Sequence, residues 1–275
     1  MFSSHSNASR PAAVAGQFYP ADPGQLSTMV DDLLDTVALA SDANVAPTIK
    51  AIIAPHAGFI YSGPVAASIY RLLQTRAPAI SRVVVLGPSH HVGFHGLALS
   101  SAKQFHTPLG DIPLELDVIS ALRDMPQVIV SDEAHAREHS LEVQLPFLQR
   151  VLIDFALLPL VVGDASAEEV AEVLEVLWGG DETLIVISSD LSHFLDYEQA
   201  RARDSHTSDA ILELDPGRIG YADACGRNPV NGLLLAARKH GLEATLVDLR
   251  NSGDTAGSKQ RVVGYGAYRF DQHVQ

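Results

Sequence analysis

Short apolar runs alternate with turn residues and helical periodicity along most of the chain. Residues 50–54, 83–87, 156–162 and 183–188 are continuous runs of Val, Ile, Leu and Ala with few polar breaks, and 244–249 and 262–267 add two more near the end. Continuous apolar runs of this length are what strands need in a sheet covered on both faces. Between them, residues 25–39, 64–73, 141–152, 167–177, 197–212 and 229–240 carry apolar side chains at helical spacing. Pro64 suits a first helical turn, Asn228-Pro229 an N-cap with the residue after it, and Gly241 a helix stop. Residues 107–111 (Thr-Pro-Leu-Gly-Asp) predict a turn between two extended pieces, a hairpin. The alternation predicts an α/β fold: three layers, α/β/α, with a mainly parallel central sheet. No repeat or linker interrupts it. Residues 1–275 are therefore expected to form one domain, with residues 1–10, polar and Ser-rich, as a flexible N-terminus.

Composition narrows the function classes. Apolar residues are 47% of the 275, and charged residues only 19%, so much of the chain must be buried. Lys plus Arg is 19 and Asp plus Glu is 33, a net charge of 19 − 33 = −14. Such a surface repels phosphate backbones and anionic membranes, so neither nucleic acid nor a membrane is expected as a partner. No apolar run approaches the roughly 18 residues of a membrane span, and the polar start lacks the apolar core of a signal peptide. One cysteine, Cys225, excludes an internal disulfide framework. A cytoplasmic location fits these features.

Three histidines stand directly after strands. His56 lies in Ala54-Pro55-His56-Ala57-Gly58, His90 in Gly87-Pro88-Ser89-His90-His91, and His193 in Ser188-Ser189-Asp190-Leu191-Ser192-His193. In parallel α/β sheets the loops after the strands gather at one edge, where ligands bind. Three imidazoles delivered to one edge predict a shared site, and neutral imidazole is a favoured ligand of transition metals. Cys225 or Asp190 would supply an anion to such a site. Cys225 precedes a predicted helix and is followed by Gly226-Arg227, so the helix dipole and Arg227 are expected to favour its thiolate. Gly226 lets a backbone or ligand approach closely. Asp190, three residues before His193, is expected to orient a histidine, bind metal or cap a following helix. His139, in Arg137-Glu138-His139-Ser140-Leu141-Glu142, is a further pocket candidate, with Ser140 as an alternative helix cap. His91, His95, His106 and His135 have no second supporting feature. His5, His206, His240 and His273 read as surface residues.

Taken in order, these segments resemble the Memo-like family, called AmmeMemoRadiSam system protein B in prokaryotes. The segments around His56, His90, His139 and Asp190–His193, and Cys225-Gly226-Arg227-Asn228-Pro229, carry the resemblance. Gly16-Gln17-Phe18-Tyr19 is similar to the family's N-terminal signature. The likeness runs from about Arg10 to Phe270. It implies a fold and pocket position similar to the class III extradiol dioxygenases, which are non-haem iron enzymes. By that resemblance His56 and His90 take the places of the two histidine ligands, and Cys225 stands where those enzymes carry a glutamate. His193 matches a histidine of acid–base catalysis; Asp190 and His139 are the other candidate catalytic residues. A soft thiolate in place of a carboxylate shifts metal preference from iron towards copper or zinc.

Three functions follow as expectations. The first is a metal-dependent oxidoreductase, dioxygenase-like, holding a single transition-metal ion: iron first, copper or zinc as alternatives. The second is a non-enzymatic adaptor that holds a small molecule or peptide in the same pocket. In either case Phe18, Tyr61 and Arg227 would contact the bound molecule. The third, implied by the family name, is a partner of radical-SAM and AMMECR-type proteins.

Overall fold

A computed structural model describes residues 9–38 and 48–272. The end of the first predicted helix at Leu39, most of the N-terminal tail, and His5 and His273 lie outside the described residues. Among the described residues twelve strands are formed: β1 (Ser9–Arg10), β2 (Thr48–Ala54), β3 (Arg82–Pro88), β4 (Leu97–Leu99), β5 (Gln104–Thr107), β6 (Gly110–Pro113), β7 (Val128–Val130), β8 (Ala156–Val162), β9 (Thr183–Ser188), β10 (His193–Leu195), β11 (Glu243–Asn251) and β12 (Val262–Gln272). The α-helices are α1 (Pro23–Asp35), α2 (Phe59–Leu73), α3 (Leu116–Leu122), α4 (Asp132–Ala136), α5 (Leu145–Val151), α6 (Ala167–Leu177), α7 (Tyr197–Leu212) and α8 (Arg227–Lys239). Among the described residues, no helix is long and apolar enough to cross a membrane.

The main sheet has the order β10-β12-β2-β9-β3-β8-β4-β7, with β11 on β12. Its centre, β2-β9-β3-β8, is parallel. Every residue of β9, and all but the first residue of β2, β3 and β8, is buried, which is why those segments read as continuous apolar runs. Outside that centre the sheet is mixed, since β12 runs antiparallel to β2 and β11, and β4 antiparallel to β8. The α/β class holds; the continuous parallel run is the four central strands, and β7 lies parallel to β4 beyond them. Register fixes the important edge: Ala54 pairs with Ser188, and Leu86 with Ile187. The loops bearing His56, His90 and Asp190 therefore leave adjacent strands at the same end. The hairpin expected at residues 107–111 is β5–β6, with Thr107 opposite Gly110.

Several local expectations change. Pro64 is inside α2, not at its start; the helix begins at Phe59 after Gly58. The start is drawn forward because the Phe59 amide already has an acceptor, the Phe18 carbonyl at 2.8 Å. Asn228 is not an N-cap: Gly226 holds that position, and the Asn228 amide donates to the Gly163 carbonyl at 2.8 Å. The segment read as one helix over 141–152 is a 3-10 turn, Glu142–Gln144, followed by α5. Ser140 caps nothing; its hydroxyl donates to the Pro88 carbonyl at 2.9 Å. Arg10, the last residue of the expected flexible tail, is buried and paired with Glu142.

Two glycines bring the site loops together. A Cβ on Gly87 would stand 2.7 Å from Ser140 Oγ, and one on Gly226 2.7 Å from Ser189 Cβ. Only hydrogen fits at these positions, so the 138–141 segment closes on the end of β3, and the Cys225 loop closes on the end of β9.

Candidate metal centre

His56, His90 and His139 form the group: one ligand atom from each lies within 4.8 Å of the others. The ring centroids of His90 and His139 are 4.5 Å apart and stacked, and His56 stands edge-on to both at 5.2 and 5.4 Å. Sequence order hides this arrangement, because His139 arrives from a loop that folds back over β3.

Hydrogen bonding decides which nitrogens are available. Ser188 has one hydroxyl hydrogen, and it goes to the Ser140 carbonyl at 2.5 Å. Ser188 Oγ therefore accepts from Gln144 Nε2 at 2.7 Å and from His56 Nδ1 at 2.9 Å. Gln144 is itself oriented, since its nitrogen faces the Pro55 carbonyl and its oxygen accepts from the Tyr70 hydroxyl. His56 thus carries its proton on Nδ1 and keeps the Nε2 lone pair. His90 Nδ1 lies 2.8 Å from Glu138 Oε1, and its amide donates to Oε2 at 2.7 Å. A carboxylate accepts, so Nδ1 holds the proton and Nε2 is again left open. His139 Nδ1 is 3.5 Å from the same Glu138 oxygen.

Burial works against charge on two of the imidazoles, His56 and His139. Burial, with His90 and His139 as neighbours, holds His56 well below the ordinary histidine value. Burial and then His90 lower His139 to about 4. Burial would raise Glu138, but the hydrogen bonds from the His90 ring and amide and from the Ser140 amide outweigh it, and the carboxyl stays well below the usual range.

Asp190 is buried, and burial raises it to about 6. It caps no helix: Oδ1 accepts the His56 backbone amide at 2.7 Å, so it orients the loop of His56 and not an imidazole ring. His193 opens β10, is exposed, and donates from Nδ1 to the Leu191 carbonyl at 2.8 Å. Phe18 packs on the His139 ring at 4.8 Å between centroids. Tyr61 is partly exposed in the first turn of α2.

Cys225 departs from expectation. It lies outside the three-histidine group, although its sulfur is 3.3 Å from His56 Nε2 and accepts the Asp190 amide at 3.3 Å. Its thiol pKa is raised, by burial first and by the Asp190 carboxylate second. The expected stabilisers act elsewhere or are outweighed: Arg227 lies over the Tyr221 ring, 3.2 Å from its centroid, and the amide of Gly226, the N-cap of α8, lowers the thiol pKa by less than burial and Asp190 raise it. A cavity of about 270 Å³ opens beside the thiol, lined among others by Ser89, Phe94, Asp164, Tyr221 and Asn228.

Glu138, Gln144 and Ser188 are the contributors that the pattern of histidines did not single out. The signal for Glu138 was present, a carboxylate adjoining a pocket histidine. Ser188 and Gln144 leave no such mark, since their roles arise from contacts between distant segments.

Residues 10–269 match the family described as Memo-like protein. A MEMO1 family protein of Methanosarcina mazei is 35% identical over 272 residues, covering 94% of this chain and 97% of its own. One of Nitrosopumilus maritimus is 31% identical over 274 residues, with coverage of 95% and 99%. The solved structure of an uncharacterized protein from Escherichia coli K12 is similar with a TM-score of 0.53 at 15% identity, covering 79% of this chain and 99% of that one, a likeness of fold. The chain belongs to the Memo-like family.

Proposed function

We propose that this Memo-like protein holds one transition-metal ion between His56, His90 and His139, with Cys225 as an adjoining donor, and serves as a metal-dependent oxidoreductase for a small molecule. One observation carries the reading. The Nδ1–H groups of His56 and His90 are both committed to protein acceptors, which leaves two Nε2 lone pairs beside a third imidazole. Histidine ligands held this way by an outer partner are the usual construction of a metal site.

The donor set fits an ion. Three neutral imidazoles suit iron, copper and zinc. Donors sharing one tetrahedral ion, at about 2.0–2.1 Å for nitrogen and about 2.3 Å for sulfur, stand roughly 3.5 Å apart. The 3.3 Å between Cys225 Sγ and His56 Nε2 is close to that spacing. Iron is the first choice by the resemblance to class III extradiol dioxygenases, and the sulfur supports copper or zinc. When bound, the ion supplies Lewis-acid or redox chemistry.

The chain's own residues do the rest. His193, exposed and held through Nδ1, exchanges a proton with the bound molecule. Asp190 holds the backbone of His56. Phe18 walls the site over His139 and excludes water there, Tyr61 and Arg227 contact the molecule at the mouth, and the cavity beside Cys225 has room for a small organic group.

The test is elemental analysis of protein purified without a His tag and without added metal. The expected result is close to one equivalent of iron, copper or zinc per chain. Only trace metal, together with no uptake of added Fe(II), Cu(I) or Zn(II), overturns the reading.

A further inference from the structure

Glu142 lies three residues after His139 and is fully buried. A buried carboxylate is costly unless its oxygens are satisfied, and here all four donors come from one short stretch, residues 10–19. Arg10 Nη1 and the Ala13 amide, the latter at 2.7 Å, reach Oε2; the Val14 amide at 3.0 Å and the Tyr19 hydroxyl at 2.5 Å reach Oε1. Arg10 also donates to the carbonyls of His135 and Glu138, the latter at 2.7 Å.

The far end of the same stretch touches the metal centre twice. The Phe18 ring packs on His139, and the Phe18 carbonyl accepts the Phe59 amide in the helix that follows His56. Residues 10–19 therefore bridge two segments that meet at the site: the 135–142 segment with Glu138 and His139, and the loop of His56.

We infer that Glu142 is a positioning residue: by gathering Arg10, Ala13, Val14 and Tyr19 it holds residues 10–19 across the centre, and through Phe18 it fixes the ring of His139 among the three imidazoles. In its effect on metal this rests on the function proposed above; in its effect on His139 it does not.

The experiment uses the full chain and two variants. Glu142→Gln keeps the shape but turns an amide nitrogen towards donors, so the stretch loosens. Phe18→Ala leaves the Glu142 contacts intact and removes only the ring over His139. Two readouts go beyond folding. The first is the rate at which diethyl pyrocarbonate modifies His139 in metal-free protein, mapped by mass spectrometry. The second is the affinity and visible spectrum of Co(II). Both variants are expected to raise the His139 rate severalfold. Co(II) affinity should fall about ten- to hundredfold in Glu142→Gln, as for other outer-shell changes, with an altered spectrum, and less in Phe18→Ala. If Glu142→Gln does not fold, Tyr19→Phe, which removes one donor to Glu142 and keeps the ring, takes its place with the same expected direction. A His139 rate and a Co(II) spectrum equal to wild type in every folded variant overturn the inference, even where the melting temperature falls. Should wild type bind no Co(II), the proposed function fails, and the His139 rate alone still supports or overturns the role of Glu142.

Discussion

The Nδ1–H of His90 donates to Glu138 Oε1 at 2.8 Å, while the His90 amide donates to Oε2 of the same carboxylate at 2.7 Å. Ring and backbone are thus held by one side chain, and the Nε2 of His90 has a single direction. Glu138→Gln keeps one acceptor but faces a nitrogen towards a donor. The expected outcome is a loss of about ten- to hundredfold in Zn(II) affinity, measured by competition with a chromophoric chelator. Stability should fall by about 1–3 kcal/mol in urea unfolding of the metal-free protein, the cost of leaving a buried donor without its partner.

Ser188 occupies the corresponding place beneath His56. Ser188→Ala leaves three buried groups without a partner: the Nδ1–H of His56, one Gln144 N–H and the Ser140 carbonyl. Such groups cost about 1–3 kcal/mol each when nothing replaces the bond. The variant should be less stable by at least that amount, and ¹⁵N NMR of the imidazoles should show His56 as a mixture of tautomers where wild type shows only the Nδ1–H form.

His135 provides a pH signature away from the three-histidine group. It is buried and donates from Nε2 to the Ala98 carbonyl at 2.9 Å, and its Nδ1 has no partner. Burial lowers its pKa from 6.5 to about 4. Between those values the unfolded chain takes up a proton that the folded chain refuses, so this contribution to stability is full above pH 6.5 and is lost as the pH falls to about 4. At about 1.4 kcal/mol per pH unit the gap amounts to about 3 kcal/mol at most. In His135→Gln, whose amide can still donate to Ala98, stability measured from pH 7 to pH 4 should fall less steeply than in wild type.

Cys225 should behave as a protected thiol. Burial and the Asp190 carboxylate both favour the protonated form, and the sulfur already accepts the Asp190 amide. Metal-free protein is expected to react with iodoacetamide at pH 7 more slowly than free cysteine, with the rate still rising in the alkaline range. A rate above that of free cysteine would mean that Arg227 or the start of α8 outweighs burial and Asp190 after all.

How much of this was legible in the sequence depended on the distance over which each feature is decided. The strands 156–162 and 183–188 were read with their true bounds, because a strand buried on both faces shows as an unbroken apolar run. The three-residue strands Leu97–Leu99, Val128–Val130 and His193–Leu195 were not, since so few positions cannot display a period. Among the site residues, His56, His90 and Asp190 were legible because each follows a strand. The closeness of His139 to the first two was not, for it depends on Gly87 admitting Ser140 from 53 residues away. The pKa of Cys225 was misread for a related reason: local sequence showed Arg227 beside it, while the fold turns that guanidinium onto Tyr221 and places Asp190 against the thiol.

The central claim is that His56 and His90 form the heart of a metal site to which His139 and Cys225 contribute. The most direct test is a titration of metal-free protein with Co(II), followed by its visible absorption, in wild type and in His56→Ala, His90→Ala, His139→Ala, Cys225→Ser and His106→Ala. His106 pairs with Asp111 on the β5–β6 hairpin and serves as the control. The expected result is one ion per chain in wild type and in His106→Ala, no saturable binding in His56→Ala or His90→Ala, and weakened binding in His139→Ala and Cys225→Ser. Binding in His56→Ala and His90→Ala as tight as in wild type would contradict the account.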